Sequence, residues 1–247
     1  WRAVLPRLGG KANHTPFEIL AQRIPFGLIQ RYLKDVFSME VLLFGGLGLL
    51  RGEAKDKSHQ QYLSHWHYLR HKHQLGEMAP LPVKQSRMRP HAFPMLRLAQ
   101  LAQWLTIIPQ WTHLLTLEGM KSFLQYPIGV STYWQAHHGW GLPHKLPHPQ
   151  LGRQSKEGII CNALLPVALL YDQQYQLRES EELISFAHTL KAEQNKVTRK
   201  FKPYPIQQQN MMDTQGIYHL YHAYCKAKKC LSCEIGQTLL TTGLGNS

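Results

Sequence analysis

Three of the chain's four cysteines, Cys225, Cys230 and Cys233, fall within nine positions near its end, spaced C-x4-C-x2-C and interleaved with Lys226, Lys228 and Lys229. A thiolate is a soft metal ligand, and a C-x2-C pair lets one turn of backbone present two sulfurs to a single ion. Neighbouring ammonium groups favour the thiolate form of a cysteine. Three thiolates need a fourth ligand to close a tetrahedral zinc site. His222, three residues before Cys225, is the first candidate, with His219 and Cys161 behind it. Structural zinc is therefore the expected cofactor. An iron–sulfur cluster is the alternative, because the same spacing occurs in plant-type ferredoxins. Those folds are β-rich with a further cysteine downstream, and none follows Cys233 here. Three free thiols in a helical hairpin are the remaining reading, since free cysteine is a common small core residue.

Other residue groups carry weaker signals. His59, His65, His67, His71 and His73 lie close together, with His67 and His71 one helical turn apart. A zincin motif would place Glu at position 68, where this chain has Tyr68, and no carboxylate lies inside the cluster. The histidines are therefore read as a solvent-facing helix surface. Arg87, Arg89 and Arg97, with Gln100, form a possible anion-binding face, because the guanidinium fork suits phosphate. With Lys226, Lys228 and Lys229 these arginines are the candidate nucleic-acid contacts. Tyr133, Trp134, His137, His138 and Trp140 could stack bases, although core packing with a turn at Gly139 is the simpler expectation. No P-loop, nucleophile elbow, dinucleotide fingerprint or paired-carboxylate motif is present.

The bulk composition sharpens this. Lys and Arg total 28 against 15 Asp and Glu in 247 residues, a formal charge of +13, which favours a polyanionic partner such as nucleic acid. Four cysteines do not make a disulfide framework, so a reducing, cytoplasmic compartment is expected. The apolar run over 36–50 is interrupted by Ser38, Glu40 and glycines and is too short to cross a bilayer, so no membrane partner is expected. The chain opens at Trp1 in mid-pattern and is read as a fragment whose N-terminal region is missing.

Helical signals dominate the elements that must position these residues. Thr15-Pro16-Phe17-Glu18 has the form of a helix start, with Thr15 as cap. A second helix is predicted over 26–43, and a third from Ser58 to His73 with Tyr62, Trp66 and Leu69 as its apolar stripe. The segment 93–105 is the clearest amphipathic helix, and another is predicted over 114–126. Residues 130–138 read as a short aromatic segment and 139–153 as a loop. A buried helix kinked at Pro166 is predicted over 157–174, followed by shorter helices over 179–190 and 195–201. Asp213 is the expected cap of the last long helix, which delivers Cys225 near its end. No stretch alternates at period two. The fold class is all-α: a multi-helix single compact domain over 1–247, with a small C-terminal cysteine knuckle formed by a Cys-rich helical hairpin at 213–240.

Several segments together carry a resemblance. Trp1-Arg2-Ala3-Val4-Leu5, Pro16-Phe17-Glu18, Asp35-Val36-Phe37-Ser38-Met39-Glu40-Val41-Leu42-Leu43-Phe44-Gly45, Met88-Arg89-Pro90, Phe93-Pro94, Arg97-Leu98-Ala99-Gln100-Leu101-Ala102, Tyr224-Cys225 and Lys229-Cys230-Leu231-Ser232-Cys233-Glu234-Ile235-Gly236 occur in order. In this they resemble an uncharacterised bacterial family, domain-of-unknown-function family 2851. The resemblance implies a further N-terminal region and includes the three C-terminal cysteines, while Cys161 and the His59–His73 cluster look peculiar to this chain. It brings no established activity. The expected function is a zinc-binding helical protein whose basic surface contacts nucleic acid. The competing expectation is the helical substrate-holding part of a nuclease-like enzyme with its catalytic region upstream, or an iron–sulfur protein.

Overall fold

A computed structural model of the chain describes residues 1–88, 92–108, 110–145, 149–177, 180–204 and 206–243, with the side chains at 239, 242 and 243 excepted. Arg89, one of the candidate phosphate contacts, lies outside the described residues, as does the predicted helix start at Glu179. The protein is mainly all-α, as its periodicities predict. Among the described residues the only sheet is a short antiparallel pair, β1 (His137–Gly139) and β2 (Leu142–Pro143). Contacts group the chain into two compact units, Trp1–Leu177 and Arg178–Ser247. Among the described residues no helix is long and apolar enough to cross a membrane.

In the first unit, α1 (Val4–Arg23) begins upstream of the predicted cap and is broken internally at Gly10, where φ is 59°, and at Asn13. Asn13 is buried because its side chain serves the backbone of Lys84 twice, donating to the carbonyl at 3.0 Å and accepting from the amide at 2.7 Å. Pro16 follows in the first turn after the break, where its missing N–H leaves no helical bond unmade. The predicted helix over 26–43 is two helices, α2 (Phe26–Gln30) and α3 (Val36–Gly46). Asp35 divides them by capping α3, accepting from the Ser38 amide at 3.0 Å.

Helix α3 is apolar nearly all round and is buried from Ser38 through Gly46 without interruption, the signature of a core helix. It packs between α4 (Lys57–Lys72) and α5 (Pro94–Ile107). The cap of α4 is Asp56 rather than Ser58, and Tyr62, Trp66 and Leu69 form its buried stripe as predicted. At Gly45 any Cβ would lie 2.3 Å from the Trp66 indole, so only glycine lets α3 and α4 meet so closely. Helix α6 (Leu117–Gln125), capped by Thr116, brings Phe123 into a stack on Trp104 of α5 at 4.4 Å. Helix α7 (Thr132–Ala136) leads into the β1–β2 hairpin, so the aromatic segment ends in a turn at Trp140–Gly141. The predicted kinked helix is α8 (Arg153–Ile159) and α9 (Leu165–Tyr175), joined by a π turn over Ile160–Leu164. Pro166 has no N–H to give back to the preceding turn, and the widened π geometry accommodates that loss.

The second unit holds α10 (Ser180–Thr189), α11 (Lys196–Phe201), α12 (Met211–Leu220) and α13 (Glu234–Gly243). Helices α10 and α11 both pack on α12, and Leu183, Phe186, Ala187, Leu190, Met211 and Ile217 are buried in this unit. Capping boxes start α11 at Asn195 with Thr198, and α12 at Asn210 with Asp213. Asp213, predicted as the cap, is instead the third helical residue that reaches back to the capping residue.

Glu40 is the one carboxyl inside α3, with no solvent exposure. The Tyr62 hydroxyl and the Ser131 hydroxyl both donate to its Oε2, while Oε1 has no hydrogen-bond partner among the described residues. Burial pushes this carboxyl from 4.5 up to about 7, against the opposing pull of those donors. A carboxyl raised in the folded state binds its proton more tightly there than in the unfolded chain. Its contribution to stability is therefore fully present below about pH 4.5 and is lost as pH rises to about 7. We expect the stability to fall by on the order of 3 kcal/mol across that window from this group alone. Glu40→Gln should flatten the fall and stabilise the protein at pH 8. Denaturant midpoints measured between pH 5 and pH 8 check this; an unchanged pH slope in the variant would refute it.

Candidate functional site

The cysteine segment is built on the end of α12. The helix continues from Leu220 into a π turn, Tyr221–Cys225, closed by the Lys226 amide donating to the Tyr221 carbonyl at 2.8 Å. Lys228 adopts a left-handed conformation, φ 53°, and its amide donates to the Cys225 carbonyl at 3.2 Å. Cys230–Ser232 form a 3-10 turn, and the Cys233 amide donates to the Cys230 carbonyl at 3.2 Å. Helix α13 then starts directly against that turn: a Cβ at Gly236 would lie 2.2 Å from the Cys230 carbonyl oxygen. All three cysteines are free thiols; Cys225 and Cys230 are exposed and Cys233 is buried. His222 is exposed and stacks on Tyr218, with centroids 5.4 Å apart. The backbone thus carries the three cysteines through two short turns into α13. Among the described residues, however, no group of three or more His, Cys, Asp or Glu side chains is gathered around a common point.

What the fold does gather in this unit is positive charge and aromatic surface. Helix α11 lies on α12 so that Lys200 Nζ donates to the Tyr221 hydroxyl at 3.1 Å and sits 4.7 Å from its ring centroid. Lys200, with Lys226 and Lys196 nearby, holds the Tyr221 hydroxyl below its ordinary pKa. Lys226, Lys228 and Lys229 are exposed, as are Lys196, Arg199, Lys200 and Lys202. None of these seven forms an ion pair with a carboxylate among the described residues. Two basic segments that are distant in sequence therefore meet at one tyrosine. The sequence contained Lys196, Arg199, Lys200 and Lys202 in plain view, but it held no signal that α11 would dock beside Tyr221.

The remaining candidates are placed differently. Arg87 is exposed, with φ 54°. Arg97 is committed to packing, donating to Gln100 Oε1 and to Ser155 Oγ, each at 3.1 Å. Burial pulls its guanidinium down to about 10. These two arginines therefore do not share an exposed phosphate-binding face. The histidines of α4 are engaged singly. His59 is buried and stacked on Trp140 at 4.5 Å, and its Nδ1 accepts from the Lys55 amide. His65 pairs with the Ser38 hydroxyl at 2.7 Å, and His73 with the Tyr32 hydroxyl at 2.6 Å. His67 and His71 face solvent.

The aromatic segment after residue 130 packs against the core through Trp134, while Tyr133, His137, His138 and Trp140 are half-buried, and its turn falls at Trp140–Gly141 and not at Gly139. Trp134 is fully buried, and Trp140 packs on Trp134 and Tyr62. Tyr133 donates to Asp56. Although burial works against ionisation of Asp56, the Tyr133 hydroxyl and the His59 and Gly141 amides hold its carboxylate below the ordinary range. Asp56 thus ties the hairpin to the start of α4 through charge-assisted bonds.

The knuckle's close approach is directly testable. Gly236→Ala would drive a Cβ into the Cys230 backbone, an overpacking that typically costs about 1–3 kcal/mol. Amide exchange over residues 225–237 should quicken while exchange in α3 and α5 stays unchanged. Unaltered protection at those positions would show that the knuckle is not held by this contact.

Among known proteins, a family model described as "Protein of unknown function (DUF2851)" matches residues 1–196, a region that ends before the cysteine segment. No curated protein and no solved structure matches.

Proposed function

The chain belongs to the DUF2851 family, and within it we propose that the C-terminal unit is a polyanion-binding module that contacts nucleic acid through its phosphates. The observation that carries this reading is the convergence at Tyr221. Lys196 and Lys200 from α11 and Lys226 from the end of α12 lie around one tyrosine. Arg199, Lys202, Lys228 and Lys229 lie on the same two segments, and no carboxylate neutralises any of the seven among the described residues. Uncompensated cations held close together repel one another, and a phosphate chain relieves that cost by replacing their counterions. The formal charge of +13 adds long-range attraction to any polyanion.

Zinc held by Cys225, Cys230 and Cys233, with His222 as the fourth ligand, is the companion proposal. Its support is the ligand chemistry and the two successive short turns that carry the three thiols within nine positions. Bound there, zinc would supply a structural clamp that fixes Lys226, Lys228 and Lys229 beside Tyr221. Elemental analysis of protein purified without oxygen should find about one zinc per chain, the stoichiometry of a single four-ligand site. Metal-free, fully folded protein with every thiol titratable would end this part of the reading.

The polyanion reading is tested by the salt dependence of oligonucleotide binding to the whole chain. Binding should weaken steeply as salt rises from about 50 to 200 mM. Lys200→Glu and Lys226→Glu should each weaken it at low salt and make the slope of log K against log salt shallower by about 0.7–0.9 per lost phosphate contact. Absence of binding at low salt, or a slope untouched by both variants, would refute it.

A further inference from the structure

We infer that the strand bound by this unit is single-stranded, its unpaired bases lying on an aromatic ridge beside the lysines; this rests on the polyanion reading above. Five rings follow one another across the end of α11, the residues just after it, the end of α12 and the π turn that follows it. Tyr204 neighbours Phe201 at 6.2 Å, Phe201 neighbours Tyr221 at 6.5 Å, Tyr221 neighbours His222 at 5.1 Å, and His222 stacks on Tyr218 at 5.4 Å. The ridge faces water. Tyr204 is 61% exposed, His222 is exposed, and Phe201, Tyr218 and Tyr221 are half-buried.

Packing does not account for such a ridge. The interior of this unit is filled by Leu183, Phe186, Ala187, Leu190, Met211 and Ile217, and the five rings lie outside that set. Leaving them at the surface forgoes burial that their neighbours obtain. A nucleic-acid strand supplies what the ridge lacks, since every base has a π-face and the backbone delivers phosphates to the flanking lysines. In a duplex those faces are covered by adjacent bases about 3.4 Å apart along each strand. Phe201 and Tyr221, like Tyr221 and His222, meet nearly at right angles, so the ridge offers separate ring faces and not one continuous stack, which suits unpaired bases splayed from their neighbours. Lys200 makes the two contacts adjacent: its ammonium lies over the Tyr221 ring and remains on the solvent side to meet a phosphate. The rings thus select the strandedness, and the lysines supply affinity without regard to sequence.

The test measures anisotropy of a fluorescein-labelled oligothymidylate of about fifteen nucleotides, a length within the range a stacking groove occupies. A matched RNA, a duplex of the same length and heparin serve as competitors, all at one salt concentration. The single strand should bind about tenfold or more tightly than the duplex, and the RNA arm decides between DNA and RNA as its source. Tyr204→Ala, at an exposed position where folding is not at risk, should weaken single-strand binding by about five- to a hundredfold and leave heparin binding unchanged. Tyr204→Phe should retain it. Tyr221→Ala should act in the same direction, with circular dichroism confirming its fold. Equal binding of strand, duplex and heparin, indifferent to both alanine variants, would overturn the single-strand inference and leave the polyanion reading standing. No binding of any polyanion at about 50 mM salt would remove both.

Discussion

The first unit is organised around a helix that, past its first two residues, has no solvent face. Burial of α3 from Ser38 to Gly46 means that every polar group it carries must be answered by the elements laid against it. Glu40 is the hardest case, and its answer comes from Tyr62 of α4 and from Ser131 ahead of α7. These bonds tie two distant stretches of chain to one carboxyl of α3. The same helix imposes a steric condition at Gly45, where the Trp66 ring takes the place a side chain would occupy. The positions of α4, the hairpin and Trp134 follow from these two requirements together. Asp56 reinforces them from outside, binding Tyr133 and Gly141 to the start of α4. One carboxyl is driven toward neutrality by burial and the other is kept ionised by donors, so a single docking surface uses both forms.

The second unit follows a different logic. Its interior is small and its helices are short, so local caps do much of the positioning. Asn195 and Asn210 begin α11 and α12 with reciprocal side-chain bonds that satisfy amides no helical carbonyl can reach. Once α11 rests on α12, Lys200 stands against Tyr221 without an acidic partner among the described residues. In the first unit each apparent cluster proves to be a set of separate contacts: His59, His65 and His73 each have their own partner, and Arg97 is held inward.

The helical stripes were legible where burial and periodicity agree. Tyr62, Trp66 and Leu69 read as one face of α4, and they form it. The stretch 26–43 misled because apolar spacing continues across a break that Asp35 creates through a side-chain bond to Ser38. Periodicity reports which residues are apolar and is blind to a single capping oxygen. Pro166 announced an interruption correctly, yet whether it would appear as a kink or as a π turn depended on how α8 and α9 packed. The cysteines were conspicuous by type and spacing, and they fall on two successive short turns. Where four side chains point is a separate matter, settled by rotamers and neighbours that spacing does not encode.

By itself the sequence determined the all-α class, the apolar stripes, the excess of cations and the position of the thiols. Each of these follows from residue types and short-range periodicity, which act within a few positions along the chain. The tertiary structure alone decided that Glu40 would lose its water, that Arg97 would turn inward, and that Lys200 would bond Tyr221 with the charges of Lys196 and Lys226 acting on the same hydroxyl. Those outcomes depend on contacts between segments distant in sequence. Burial and convergence of charge are properties of packing, and no local pattern of residues contains them.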